Sequence, residues 1–386
     1  MKGKAKRRII DVVIVLAVTA FTVWYLIKKN VFNADSIKNT SAFSLAAVFA
    51  VNALSLFLFS LTNYLTVRRD LNGFRLIDAV NDEVFGKLGS SVTPLKSGHY
   101  PLRVYFYKKR GYDFYEALTV LCKCQIIASV ASVINYSVVL GVSAAKGLTI
   151  SLGEKTAGLW LVMLIGVLFH LFTISLVMLI AFVKPVQKFF INFIAKIKFF
   201  KKSKEDKQSY IETETLKYKI YKEQTLLMLK DFYRYILPLA VYTANMFVTS
   251  STAYAAYLTT VKSATFTLNG FLSFYLLTVG AAYVTNVIPV PGGNGSSEIV
   301  FTMVFSAVIG AESIGAVLIA WRAGSYFLPV IASAVWFFIA SAILTKREEK
   351  REINGGSDSF SGGGENTVAK NDLSPVDGEN TDAESD

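Results

Sequence analysis

The sequence is poor in the residues that most catalytic and metal chemistry requires. Two cysteines and two histidines are all that 386 residues contain. Cys122 and Cys124 share one apolar run, and at i, i+2 on a helix they point to different sides. That spacing argues against a disulfide or a metal site and for buried, inert thiols. His99 and His170 have no neighbouring ligand residues, and a satisfied interior histidine is the expectation for His170. Walker A, H-E-x-x-H, nucleophile-elbow and dinucleotide signatures are also missing. The run GGNG at 292–295 is too short, and too deep in apolar sequence, to serve as a phosphate loop. No cofactor, no metal and no nucleic-acid partner is expected.

Charge is scarce as well, at 18% of residues against 53% hydrophobic. A soluble domain of this size rarely carries so many apolar residues. The net charge of +12 is uneven: residues 353–386 hold one Lys and eight Asp/Glu, a local −7 that leaves about +19 elsewhere. On a membrane protein, such basicity reflects cytoplasmic loops and anionic lipid.

What the chain has in abundance is apolar runs of roughly the 20 residues that a spanning helix needs. Six fall near 9–27, 41–67, 114–143, 157–183, 235–261 and 313–345. The first follows the basic start MKGKAKRR and lacks a small-residue cleavage site, so an uncleaved signal anchor is expected. Two further stretches, 74–110 and 266–311, are apolar but broken by Pro, Gly and polar residues. Basic residues orient the spans. The N-terminal cluster, Arg68-Arg69, Lys108-Lys109-Arg110, the thirteen Lys/Arg of 184–234, and Lys346, Arg347, Lys350 and Arg351 can all lie in the cytoplasm if both broken stretches re-enter on the side they left.

The expected fold is therefore an all-α polytopic membrane protein with about six full transmembrane helices and two re-entrant broken segments. Half one covers 1–183 with its re-entrant segment at 74–110. A basic cytoplasmic linker covers 184–234, and its stretch 186–202 has the pattern of an amphipathic helix on the inner leaflet. Half two covers 235–345 with its re-entrant segment at 266–311. Residues 346–386 form an acidic tail, Gly- and Ser-rich from about Asn354 and expected to be disordered. Both termini are expected in the cytoplasm of a multi-pass plasma-membrane protein.

The two broken segments resemble each other. Setting 91–103, SVTPLKSGHYPLR, beside 286–298, NVIPVPGGNGSSE, brings Pro94 to Pro289, Gly98 to Gly293 and Arg103 to Glu298. With the topology above, one copy is the other inverted, a recurrent transporter plan. Pro94, Pro101, Pro289 and Pro291 cannot donate a backbone N–H, and Gly292, Gly293 and Gly295 permit turns closed to other residues. Such breaks are tolerated only where protein or a wet cavity supplies partners. Asn286 and Asn294 are expected to hold the second turn.

Charges within apolar sequence single out candidate binding residues. These are Arg103, Glu298 and Arg322, with Lys96 and Lys123 beside them. An unpaired charge at a helix centre costs about 2.5–3.5 kcal/mol on insertion scales. These side chains should face one another or a hydrated cavity. A structural ion pair, Arg103 or Arg322 with Glu298, and a charged-headgroup site are both open from the residues alone. Asp82 and Glu83 precede the first break and could cap or line it.

At TPLKSGHYPLR (93–103), NVIPVPGGNGSSE (286–298) and the following Trp321-Arg322, the chain resembles the lysylphosphatidylglycerol synthase/flippase membrane-domain family, the membrane half of the multiple peptide resistance factor. The resemblance covers about residues 5–345. It implies a bacterial plasma-membrane protein that handles anionic or aminoacylated phospholipid. Full-length members add a cytosolic domain that transfers lysine from charged tRNA to phosphatidylglycerol, and their membrane part is thought to move the product outward. No transferase domain is readable here, so a stand-alone form without catalysis is expected.

Three functions follow for weighing. The first is a phospholipid flippase with the headgroup bound between the re-entrant segments. The second is an enzyme acting on lipid, a phosphatidylglycerol lysyltransferase by family name only. The third is a non-transporting subunit that docks a lipid-modifying enzyme. The first is favoured, and homo-oligomerisation stays open.

Overall fold

The computed structural model describes residues 34–152, 155–189, 222–288 and 290–358, with a few isolated positions besides. The expected span at 9–27, most of 186–202 and of the linker, Pro289, and the tail beyond 358 lie outside the described residues.

Two short helices of the first half surround its break. α1 (Ala34–Lys38) and α2 (Ala42–Val67) lead into α3 (Leu76–Val92), a 3-10 turn at Pro94–Lys96, and α4 (His99–Arg110). α5 (Phe114–Ala145) and α6 (Leu159–Phe182) flank a hairpin of β1 (Thr149–Leu152) and β2 (Lys155–Gly158), paired antiparallel with Ile150 opposite Ala157. The second half runs through α7 (Ile236–Ser250), α8 (Thr252–Thr260), α9 (Leu268–Val287), a 3-10 turn at Pro291–Gly293, and α10 (Ser296–Ile309). α11 (Ile314–Arg322), a π-helical turn at Ala323–Phe327 and α12 (Leu328–Asp358) close it.

Five helical stretches among the described residues are long and apolar enough to cross a membrane. They are Ala42–Val67, Glu116–Ala145, Leu159–Phe182, Leu268–Thr285 and Ile314–Lys346. The chain is an all-α polytopic membrane protein. Its large apolar side chains are not all sequestered: Leu168, Phe169 and Phe172 of α6 and Ile331, Val335 and Phe338 of α12 remain exposed. Helices apolar on every side suit a lipid surround.

Three boundaries differ from expectation. The stretch 235–261 is two helices, α7 and α8, meeting at Ser251. Ser251 Oγ donates to Val248 O at 2.7 Å and Thr252 Oγ1 to Thr249 O at 2.9 Å. Hydroxyls bonded back onto the preceding turn compete with the helical ladder. Within 266–311, α9 is itself of spanning length and only α10 is short. α12 continues through Lys346 to Asp358, past the expected start of the tail.

Helix starts are written locally. Ser41 Oγ accepts the Ser44 N–H, and Thr267 Oγ1 the Gly270 N–H, each at 3.0 Å. Asp78 accepts the Arg75 N–H at 2.9 Å and the Arg110 Nε–H at 3.0 Å, so it ties the end of α4 to the start of α3. That hydrogen bond raises the Arg110 guanidinium above its ordinary value.

Two of the three buried apolar clusters among the described residues gather around the breaks. One gathers Phe85, Phe106, Tyr107, Leu71 and Leu121 around the first break. The other gathers Phe274, Phe301, Phe305 and Val317 around the second, with Trp321 stacked on Phe301 at 4.6 Å. α2 contributes Val67 to the first and Val48 to the second.

Candidate functional site

α3 ends because Thr93 takes an extended backbone and turns its side chain to the turn. Its Oγ1 donates to Gly89 O at 2.8 Å and accepts the Gly98 N–H at 2.7 Å. Between them, Leu95 and Lys96 both sit in the left-handed region, at φ 50 and 56. α3 and α4 then pack backbone to backbone. A Cβ on Gly89 would overlap the Gly98 carbonyl, and one on Gly98 would lie 2.7 Å from Gly89 O. Gly89→Ala is expected to destabilise the protein by about 1–3 kcal/mol, as overpacking does. Thermal melting in detergent measures this. Gly141→Ala, whose methyl meets nothing within 4 Å, is the control, and equal melting of the two variants would refute the close approach.

The second break has the same construction with different residues. Pro291–Gly293 forms its 3-10 turn, and Gly292 and Gly293 hold φ 62 and 65. α4 begins at His99 and α10 at Ser296, capped by Gly98 and Gly295 respectively. The backbone therefore aligns Pro94 with Pro291, Leu95-Lys96 with Gly292-Gly293, and Gly98 with Gly295. This register is shifted by two residues from the proline-to-proline match at Pro289, so Arg103 and Glu298 are not equivalent positions. Asn286 falls in the last turn of α9 and Pro101 in the first turn of α4.

Each break is braced by its own buried guanidinium–carboxylate pair. Arg103 donates from Nε to Asp82 Oδ1 at 2.7 Å and from Nη2 to Oδ2 at 2.5 Å. The Tyr107 hydroxyl donates to the same carboxylate at 3.1 Å, and Asp82 is fully buried. Arg322 donates from Nε to Glu298 Oε1 at 2.6 Å, and from Nη2 to Gly292 O at 3.0 Å and Asn294 Oδ1 at 2.9 Å. Glu298 also accepts the Gly295 N–H at 2.7 Å. Of the two pairings with Glu298 left open by the sequence, Arg322–Glu298 forms, whereas Arg103 pairs with Asp82 instead.

The two breaks touch. The π-helical turn carries Tyr326, whose hydroxyl donates to Ser91 O at 3.0 Å and accepts from Asn294 Nδ2 at 3.3 Å. Arg322 lies over the Tyr326 ring at 4.0 Å. Beside this contact opens a cavity of about 310 Å³. Lys87, Lys96 and Arg322 supply its cations; Ser297, Thr278 and Thr285 supply hydroxyls; Phe301, Phe305 and Trp321 close its apolar wall.

Of the five candidate binding residues, Lys96 and Arg322 line this cavity. Glu298 stands behind Arg322, and Arg103 is held away against Asp82. Lys123 is elsewhere: it donates to Asp70 at 2.9 Å and Gln224 at 3.1 Å beside a separate polar pocket. Sequence reasoning missed Lys87, Tyr326 and the weight of Asp82. Lys87 was visible as a lone cation in an apolar stretch, and Tyr326 as the residue one turn beyond Arg322.

Spanning-length apolar helices packed around two broken segments and a cation-lined cavity define a multi-pass membrane protein. The family model of the lysylphosphatidylglycerol synthase TM region matches residues 8–333, and the chain belongs to that family. Membership links the chain to membrane lipid. No curated protein matches it.

Proposed function

We propose that the chain is a phospholipid translocase of the bacterial plasma membrane, which binds the lipid headgroup in the cavity between its two broken segments and leaves the acyl tails in the bilayer. The observation that carries this reading is the cavity itself, where both breaks meet and three cationic side chains converge. Irregular backbone at membrane depth is tolerated where it lines a polar cavity, and broken helices at an inverted-repeat interface are where transporters bind substrate. The local likeness of the two breaks supports an inverted repeat of this kind. Arg322 and the lysines suit a phosphate oxygen, which accepts charge-assisted hydrogen bonds. Family membership makes a lipid the natural ligand.

Headgroup accessibility in proteoliposomes tests the reading. Wild-type protein is expected to expose labelled phospholipid to an impermeant quencher faster than empty vesicles do. Ala282→Trp puts an indole into the cavity wall and is expected to slow the movement about tenfold, a barrier change of about 1.4 kcal/mol, with helical content unchanged. Movement no faster than in empty vesicles would leave the docking-subunit alternative in its place.

A further inference from the structure

We infer that the cavity selects headgroups of net negative charge, and that Lys96 is held in a strained backbone conformation to present its ammonium to the lipid phosphate. This deepens the translocation reading and rests on it.

The charge census of the cavity comes first. Its lining holds Lys87, Lys96 and Arg322 and, among the described residues, no Asp or Glu. The charge of Arg322 is offset by Glu298, which has both oxygens engaged, one by Arg322 and one by the Gly295 N–H. Glu83 accepts from Asn63 at 3.2 Å, and among the described residues Lys87 donates to Asn52 Oδ1 alone, at 3.4 Å. Lys96 has no ion pair among the described residues. The cavity therefore carries an excess of positive charge that an anion would satisfy. An aminoacylated headgroup would bring further ammonium groups against it, and like charges brought together in a site are discriminated against. Glu298, the carboxylate behind Arg322, is already occupied.

The backbone is the second observation. Leu95 and Lys96 both have positive φ, and their counterparts Gly292 and Gly293 hold nearly the same angles. The second break shows that this turn can be built from glycine, which adopts it at no steric cost. The first break keeps a leucine and a lysine there, at a cost that glycine would avoid. Strain of this kind marks ligand clamps, and here it sets Lys96 on the cavity wall. Thr278, on the same lining, has a buried Oγ1 that makes no hydrogen bond among the described residues.

The test is native mass spectrometry of the full chain in neutral detergent, titrated with short-chain phosphatidylglycerol or its lysylated ester. The expected result is about tenfold tighter binding of the anionic lipid, equivalent to about 1.4 kcal/mol. Lys96→Gly should remove that preference without lowering the lipid-free melting temperature, since it relieves strain. Lys96→Gln, which keeps the strain and loses the charge, should remove the preference equally. Tighter binding of the lysylated ester, or an unchanged preference in both variants, would overturn the inference. So would a lower melting temperature for the glycine variant. If the lysylated lipid binds better and is translocated, charge selection alone fails; if no lipid is moved, the translocase reading fails first. An arm with glycerol 3-phosphate separates the sources of phosphate: binding of that soluble ester without any lipid preference would overturn the headgroup assignment.

Discussion

Asp82→Ala is expected to lose about 3–5 kcal/mol of stability, the cost of leaving a buried charge without its partner. Arg103 would keep its guanidinium in a site where it is only 4% exposed, and the Tyr107 hydroxyl would lose its acceptor. A double variant, Asp82→Leu with Arg103→Met, should recover most of the loss, because a matched apolar pair carries no unpaired charge. Denaturation in detergent of the wild type, Asp82→Leu, Arg103→Met and the double variant, followed by tryptophan fluorescence, gives the four corners of the cycle. If the two single losses simply add, the residues do not interact and the geometry around the first break is misassigned. The cavity lies outside this pair, so surviving double variant should retain lipid binding, and its loss would bring Arg103 back as a ligand contact.

The Arg322–Glu298 pair predicts a split between two variants. Arg322→Ala removes a cavity cation and also strands Glu298, the Gly292 carbonyl and the Asn294 side chain. Stability is expected to fall by about 3–5 kcal/mol, and headgroup movement by at least about tenfold. Glu298→Gln retains an oxygen for the Gly295 N–H and leaves Arg322 more positive. It is expected to cost about 1–3 kcal/mol in stability while phosphatidylglycerol binding holds or tightens. A Glu298→Gln protein that loses binding of an aminoacylated lipid and keeps phosphatidylglycerol would place that carboxylate on the substrate amine instead.

The broad architecture was legible because hydropathy is a property of long runs. The spans at 41–67, 114–143 and 157–183 contain too few polar residues to be anything else, and their helices fall there. The breaks were legible as well, since proline and glycine act on their own backbone. What escaped was set between elements. Asp82 pairs with Arg103 because Gly89 and Gly98 let α3 and α4 close on each other, and nothing near Arg103 in the sequence announces that crossing. The register of the two breaks misled because prolines are conspicuous in a sequence, whereas the turn is defined by the residues with positive φ. The division at Ser251 was hidden for the opposite reason: serine and threonine barely disturb an apolar run, yet their hydroxyls redirect the ladder. Lys123 looked like a companion of the other membrane charges on depth alone, and its partner Gln224 comes from the linker region, a hundred residues away.

The two apolar clusters have a mechanical consequence. Each break is embedded in its own cluster, α2 passes through both, and where the breaks meet the joint is made by the Tyr326 hydroxyl. Parting an oily interface exposes area and is penalised in proportion to it. Parting a hydrogen-bonded joint costs only about 0.5–1.5 kcal/mol per bond once water or a ligand oxygen takes the vacated partner. The Tyr326 joint is therefore a weaker catch than either cluster, and one that a ligand oxygen could replace. Tyr326→Phe, which leaves the ring on Arg322 and deletes the catch, should speed headgroup exchange; slower exchange would mean that the hydroxyl holds the open form.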